Sequence, residues 1–266
     1  MGRGSRLWPL PLAALLALCA GCDKQATVRD PASLTYTEDA HVAYREAMGS
    51  FESQDWEESR ALFQEVSRVF AYSHYARLAE LRVADVDFEQ GKYDEAIAGY
   101  RSFVRAHRGD PNVEYAKYRI GKALYLDISD SALLPPQEER DQGNALDAYR
   151  ELRTFSEEFP RSRYLVDASY MLEVATQRLV RHQLYVARYY LGRGNFEAAV
   201  ARIDRGLKEY PGSGLDAEAL VLKGETLLKM RQRARATEVF RAVVRDYGGP
   251  FGAVARSFLA ELGEGS

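Results

Sequence analysis

The pattern of apolar and polar positions predicts a helical chain, most clearly over residues 162–191. This stretch contains neither Gly nor Pro, and its apolar residues recur at the three- and four-residue spacing of a buried helix face. Ser162 can cap its start, and Gly192 and Gly194 mark its end. At ~1.5 Å per residue the helix would be about 45 Å long. The chain then turns into a second helix that closes at Tyr210 and Pro211, so we expect an antiparallel pair.

The rest of the chain repeats this helix pair, with a spacing of 37 residues between several equivalent positions. Close packing needs a small residue midway along the first helix of each pair, helix A, and an Ala-x-x-x-aromatic pattern in the second, helix B. The small positions are Ala47, Ala84, Gly121, Ala187 and Gly224. The helix-B positions are Ser59/Phe63, Ala96/Tyr100, Ala145/Tyr149, Ala199/Ile203 and Ala236/Phe240. The repeat predicts an all-α tetratricopeptide (TPR) superhelix of five helix pairs, stabilised by packing between neighbours.

Two insertions interrupt the period. The step between the helix-B aromatic residues Tyr100 and Tyr149 is 49 residues rather than 37, because the third repeat has extra residues at 127–143. The fourth repeat has its extra residues before Ala187, in the long helix. Long connections inside compact repeats are usually functional or mobile. The 127–143 loop is therefore either a partner contact or a spacer.

The N-terminus has the features of a targeting segment, so residues 1–21 are predicted to be a lipoprotein signal peptide. Arg3 and Arg6 precede an apolar run at residues 7–18 that is too short to span a bilayer as a mature helix. The run ends in Leu-Cys-Ala-Gly-Cys, which resembles a bacterial lipobox with cleavage before Cys22. The alternative is an ordinary secretory signal, or one cleaved elsewhere.

Lipidation would make Cys22 the anchor of the mature protein and leave no thiol for disulfide chemistry. A diacylglycerol and an N-acyl chain together would hold the protein stably on a membrane. Asp23, directly after the anchor, is a weak signal against an outer-membrane address. Residues 22–37 are then predicted to be the lipidated N-terminus and a flexible tether, because they are polar and lack apolar periodicity.

Composition and motifs argue against nucleic-acid binding and catalysis. The net charge is -3, and it becomes more negative when Arg3 and Arg6 are removed with the signal peptide. The chain has no HExxH or G-x-S-x-G motif and no complete phosphate-binding loop. Its histidines are far apart in the repeat order: they are His41, His74, His107 and His182. We therefore expect a protein that is not an enzyme, with no metal and no cofactor beyond the covalent lipid.

Several strings of residues go beyond the general repeat. They are residues 110–115 with Tyr118 and Gly121, residues 130–133 and 139–142 around the inserted loop, residues 159–164 with 167–168, and residues 181–182 with 186–190 and 193–194. On these strings the chain resembles the BamD (YfiO/ComL-like) family of outer membrane protein assembly factors, from the lipobox to about Leu228. The resemblance implies a lipid-anchored scaffold of the outer membrane β-barrel assembly (BAM) complex, at the periplasmic face of the outer membrane.

The resemblance also implies partners. These are the periplasmic domains of a BamA-like barrel-assembly subunit, other assembly lipoproteins, and unfolded outer membrane protein precursors recognised through a C-terminal aromatic signal. The protein would help to insert these precursors into the membrane. The alternative is a periplasmic TPR lipoprotein scaffold for peptidoglycan maintenance or cell division.

The helix-A positions that usually face the concave side of such a superhelix suggest where a peptide would bind. They are His41, Tyr44, Met48, Phe51, Leu81, Asp85, Phe88, Tyr115, Tyr118, Lys122 and Tyr125. We expect an aromatic groove with few charges, with Lys122 available for a terminal carboxylate. The alternative for each tyrosine is ordinary packing between helices.

The charge pattern divides the chain into two halves. Residues 38–160, repeats one to three, are predicted to bind precursors, and residues 161–262, repeats four and five, to dock partners. Arg188 and Arg193, near the turn of the long hairpin, are the predicted docking residues. A basic run either meets an acidic partner surface or is a solvated helix face: its members are Lys229, Arg231, Arg233, Arg235, Arg241 and Arg245.

Overall fold

The computed structural model describes residues 31–128 and 136–263, and within these ranges the chain is helical and has no β-strand. The described residues form eleven α-helices in succession and a short 3₁₀-helix at Gln137–Glu139. The α-helices are α1 (Pro31–Glu52), α2 (Trp56–Val69), α3 (His74–Glu89), α4 (Tyr93–Ala106), α5 (Val113–Leu126), α6 (Gly143–Glu158), α7 (Leu165–Gly192), α8 (Phe196–Glu209), α9 (Asp216–Lys229), α10 (Arg233–Asp246) and α11 (Gly249–Glu261). The all-α prediction is confirmed.

The five predicted helix pairs are present, and the glycines at two small positions lie directly against buried side chains of their helix B. A Cβ atom at Gly121 would lie 2.6 Å from Cδ2 of Leu152, and one at Gly224 would lie 2.5 Å from the ring of Phe240. Both distances are shorter than those of real Cβ contacts, so a larger residue at either position would require Leu152 or Phe240 to move. The helix-B aromatic and isoleucine positions are all buried: they are Phe63, Tyr100, Tyr149, Ile203 and Phe240.

The long helix α7 joins the two halves of the molecule. The α6 helix runs antiparallel to its first half, and α8 returns along its second half, where a Cβ atom at Gly206 would lie 3.3 Å from Cβ of Gln183. The end of α8 also reaches α6, because the hydroxyl of Tyr149 donates to the backbone oxygen of Glu209 at 3.1 Å. One buried apolar cluster therefore continues from α3 through α7 to α9.

The first helix begins earlier than the sequence pattern indicates. Residues 31–37, predicted as part of a flexible tether, are helical. Proline is compatible with the first turn of a helix, so Pro31 does not prevent this. The extension also gains tertiary contacts, since the ring of Tyr36 lies 5.4 Å from that of Phe70 and its hydroxyl donates to the backbone oxygen of Val69. The predicted signal peptide, Cys22 and the first part of the tether lie outside the described residues.

A further helix, α11, follows the five pairs, within residues 161–262 that the sequence assigns to repeats four and five. It packs on α10 and touches α9, and the rings of Phe240 and Phe258 stack with centroids 4.7 Å apart. A single helix without a following partner carries no two-helix pattern, so the repeat does not indicate it as a separate helix. None of the described helices is long and apolar enough to cross a membrane.

Candidate peptide-binding face and docking residues

A buried carboxylate lies at the centre of the predicted peptide-binding face. Asp85 of α3 is 1% exposed, and the hydroxyl of Tyr115 donates to its Oδ1 at 2.9 Å. The hydroxyl of Tyr100 donates to the same oxygen, and the guanidinium of Arg82 pairs with Oδ2. Burial, together with the charge of Asp85, raises the pKa of Tyr100 and of Tyr115 well above the usual range. Both hydroxyls therefore remain protonated donors at neutral pH.

Two arginines connect this carboxylate to the aromatic rings around it. Arg82 donates from Nε to the hydroxyl of Tyr44 at 3.2 Å. Arg119 donates from Nε to the hydroxyl of Tyr100 at 3.1 Å, and its guanidinium carbon lies 3.6 Å from the ring centroid of Phe88. This arrangement extends across α1, α3, α4 and α5, so it fixes the relative positions of the first three repeats.

A second polar cluster surrounds Lys122, the residue predicted to bind a terminal carboxylate. Its Nζ lies 3.1 Å from the hydroxyl of Tyr118 and 3.4 Å from Oδ2 of Asp167. Burial alone would lower the pKa of Lys122, but Tyr118 and Asp167 raise it, so the ammonium stays charged. The ring of Tyr118 stacks on that of Tyr164, with centroids 4.4 Å apart.

The predicted groove positions differ in how far they are buried. Phe88 and Tyr118 are each only 7% exposed and belong to the core, so the structure supports the packing alternative for these two rings. Leu81 and Asp85 are also buried, and His41 is exposed. Six further positions are half-buried: they are Tyr44, Met48, Phe51, Tyr115, Lys122 and Tyr125.

The prediction that this face carries few charges is wrong. Arg82 and Arg119 lie on it, and neither was selected from the sequence. The signal was present, because Arg119 follows Tyr115 by four residues and Arg82 precedes Asp85 by three, which places each pair on one helix face.

The described part of the inserted loop is held against α7. The backbone oxygen of Glu138 lies 2.7 Å from Nδ1 of His182, and the hydroxyl of Tyr185 donates to Glu139 at 3.0 Å. A cavity of about 420 Å³ lies between the end of α5, the 3₁₀-helix and α7, and Tyr125 and Arg181 are among its lining residues. A role for the loop in binding stays a prediction.

The two predicted docking residues lie at the C-terminal end of α7, on its exposed side. Arg188 forms an ion pair with Glu218 of α9, and the guanidinium carbon of Arg193 lies 4.7 Å from the ring centroid of Tyr189. Tyr189 and Tyr185 are themselves exposed. Their four-residue spacing could have identified them from the sequence as neighbours on one face.

These features define the class of protein. The helices are paired, with small residues in helix A and buried apolar residues in helix B, and the A helices carry a polar and aromatic face. This arrangement is that of a TPR-type superhelix. The chain belongs to the YfiO family, described as an outer membrane lipoprotein family, whose model matches residues 37–241. Within the described ranges, no group of three or more His, Cys, Asp or Glu side chains could hold a metal ion.

Curated relatives carry the name outer membrane protein assembly factor BamD. The protein from Neisseria meningitidis serogroup A is 28% identical over 235 residues, which cover 87% of this chain and 88% of that protein. The protein from Haemophilus influenzae is 24% identical, with 88% of each chain covered. Among solved structures, the TPR2AB domain of yeast Sti1 in its pHSP90 complex is 15% identical with a TM-score of 0.42, over 85% of each chain.

Proposed function

We propose that this chain is a lipid-anchored scaffold of the outer membrane β-barrel assembly complex, at the periplasmic face of the outer membrane. Membership of an outer membrane lipoprotein family supports the location at the outer membrane. The name that the relatives share supports a role in outer membrane protein assembly. These relatives give no support to a role in peptidoglycan maintenance or division. The anchor in this proposal is the lipid on Cys22, and the protein acts by binding partners rather than by catalysis.

Precursor binding is assigned in this proposal to the face that runs from Tyr44 to Lys122. Half-buried rings alternate there with cations, which suits a chain end that carries an aromatic side chain and a free carboxylate. The Lys122–Asp167 pair is half-exposed, with 48% of the Asp167 side chain accessible. Such pairs contribute only about 0–1 kcal/mol. An incoming carboxylate can therefore replace Asp167 as the partner of Lys122.

A peptide pair tests this assignment. One labelled peptide ends in an aromatic residue with a free carboxylate, and the other has the same sequence with a C-terminal amide. For Lys122→Gln we expect at least about fivefold weaker binding of the free acid and no change for the amide, because only the acid loses a charge-assisted contact. Lys117→Gln is the matched control, since Lys117 lies on the same helix and pairs with Glu158 instead. Equal loss for both peptides, or no loss, would refute the assignment of Lys122.

Docking to a BamA-like subunit is assigned in this proposal to Arg188 and Arg193. Charged residues at such a surface mainly determine orientation and the rate of association. Arg193→Glu should reduce recovery of the barrel-assembly subunit when this chain is purified from detergent-solubilised envelopes. Arg163→Glu is the matched control, because its guanidinium lies at the same 4.7 Å from a tyrosine ring, that of Tyr164, at the opposite end of α7. Equal recovery with both variants would contradict the assignment.

A further inference from the structure

The last helix, α11, occupies the position of a helix A in a sixth repeat. It packs on α10 and touches α9, as α3 packs on α2 and touches α1. The first residues of α9 and α11, Asp216 and Gly249, lie 33 positions apart, so equivalent residues of the two helices can be compared at that offset. Ala219 and Thr226 of α9 correspond to Gly252 and Leu259 of α11, and all four are buried. The two helices therefore present the same face to the preceding pair.

The opposite faces of these two helices differ in what covers them. In α9, Val221, Gly224 and Leu227 are buried on the side that receives its helix B, α10. The equivalent residues of α11 are exposed: they are Val254, Ser257 and Ala260. Pro250 and Ala253 extend this exposed face, which we call the α11 face. Terminal helices of repeat proteins normally carry a polar outer face for solubility. The five residues of the α11 face are uncharged, with the exposed Arg256 and Glu261 beside them, so the face itself resembles an interior helix rather than a cap.

A basic turn borders the α11 face at one end. The turn between α9 and α10 and its flanks carry four exposed cations, which are Lys229, Arg231, Arg233 and Arg235. A cavity of about 470 Å³ lies between this turn and the end of α11. Leu228, Phe258 and Leu262 give it apolar walls, Arg231 and Arg233 also line it, and Glu261 supplies one carboxylate. The surface thus combines an uncharged helix face with an excess of positive charge at one end.

We propose that the α11 face binds an amphipathic helix of a partner protein, in the position of a sixth helix B, with acidic residues in its first turn next to Arg231 and Arg233. A helix B begins at the edge of the superhelix where its helix A ends, and the basic turn lies at that edge. The chain's own α2 and α4 begin with acidic pairs, Glu57/Glu58 and Asp94/Glu95. Acidic side chains are favoured there because the N-terminus of a helix carries a partial positive charge. The α11 helix lies beyond the residues that the family model matches, whereas the basic turn lies within them.

The chain itself supplies a probe and its matched control. The probe is a stapled, labelled peptide with the sequence of α2, residues 56–69, whose first turn is acidic. The control has the sequence of α10, residues 233–246, a helix B with no acidic residue in its first turn. Both present small and aromatic residues in the same register, Ser59 and Phe63 in one and Ala236 and Phe240 in the other. Fluorescence anisotropy with the full mature chain measures their affinities.

We expect the α2 peptide to bind at least about tenfold more tightly than the α10 peptide, because only its first turn complements the arginines. The double variant Arg231→Glu/Arg233→Glu should reverse this preference. Arg241→Glu/Arg245→Glu, at the opposite end of α10, should retain it. Ser257→Trp should abolish binding of both peptides, because the indole ring that replaces the small serine side chain blocks the close approach of a helix.

Three results would overturn the proposal. The first is that neither peptide binds, and the second is that the preference survives charge reversal at Arg231 and Arg233. The third is a dimer in sedimentation velocity that Ser257→Trp dissociates, because the occupant would then be a second copy of this chain. Circular dichroism confirms that each variant remains folded.

Discussion

At Asp85 one carboxylate serves as partner for two tyrosine hydroxyls and two arginines. It lies in the core, where an uncompensated charge is costly, and its neighbours come from three helices. Arg119 is also mostly buried, whereas Arg82 keeps about a third of its side chain exposed. Such a network stabilises the fold only while every member keeps its partner. The face proposed to bind peptides is therefore rigid at its centre.

Asp85→Ala should lower the free energy of unfolding by roughly 3 kcal/mol, the lower end of the range for breaking a buried pair, because Arg82 can still reach water. Asp147→Ala is the matched control, since Asp147 and Arg150 also form a pair three residues apart, but on the surface. The Asp147→Ala variant should lose only about 0–1 kcal/mol of the free energy of unfolding. Urea denaturation measures both values, and similar losses for the two variants would contradict the role of burial.

The turns between helices A and B share one backbone geometry, which the repeats achieve with different residues. In four of them the residue after the C-cap has a positive φ: these are Gln54, Gly91, Gly194 and Arg231. Backbone hydrogen bonds close each turn in the same way, as when the N–H of Arg231 donates to Leu228 and that of Gln232 donates to Leu227. Glycine adopts this conformation without steric cost, whereas arginine and glutamine do not.

Arg231→Gly should raise the free energy of unfolding by about 0.5–1 kcal/mol, because the relief of left-handed strain exceeds the entropy that glycine loses on folding. Gln54→Gly should act in the same direction, and Gly91→Ala in the opposite one. Thermal denaturation of the three variants provides the measurement. A lower midpoint for Arg231→Gly would show that the arginine makes a stabilising contact that outweighs its backbone strain.

On the scale of the whole molecule, the buried apolar residues of the described helices form three clusters in chain order. One covers α1 to α3, a large one continues from α3 to α9, and one lies in α8 to α11. Each repeat contacts mainly its neighbours, so stability is approximately a sum of local terms. The long α7 helix contacts α6 before it and α8 after it, and it thereby links the two halves.

Removal of α11 by truncation after Tyr247 should destabilise the C-terminal end selectively. Phe240 would lose its stacked partner Phe258, and Val243 would lose cover in the same cluster. Native-state hydrogen exchange should show faster exchange in α9 and α10 and unchanged rates in α3 and α4. Phe258→Ala should produce a smaller change in the same helices. Faster exchange throughout the chain would mean that the superhelix unfolds as one unit.

The sequence by itself determined the helix pairs, because their packing depends on pairs of residues that recur at fixed spacing. Gly121 and Gly224 stand at the small positions of the repeat, and the structure places the side chains of Leu152 and Phe240 against them. The length of α7 also followed from the sequence, from a long apolar pattern free of Gly and Pro. Local spacing is sufficient for all of these features.

Only the tertiary structure decided which half of each helix face is covered. Helical spacing placed Tyr118 on the concave side, but the ring of Tyr164, which arrives from a distant part of the chain, stacks on it. Contacts between helices likewise determined the start of α1, through Tyr36 and Phe70, and the exposed α11 face. Periodicity specifies the direction in which a side chain points, whereas burial depends on which helix lies opposite, and that is a property of the folded chain.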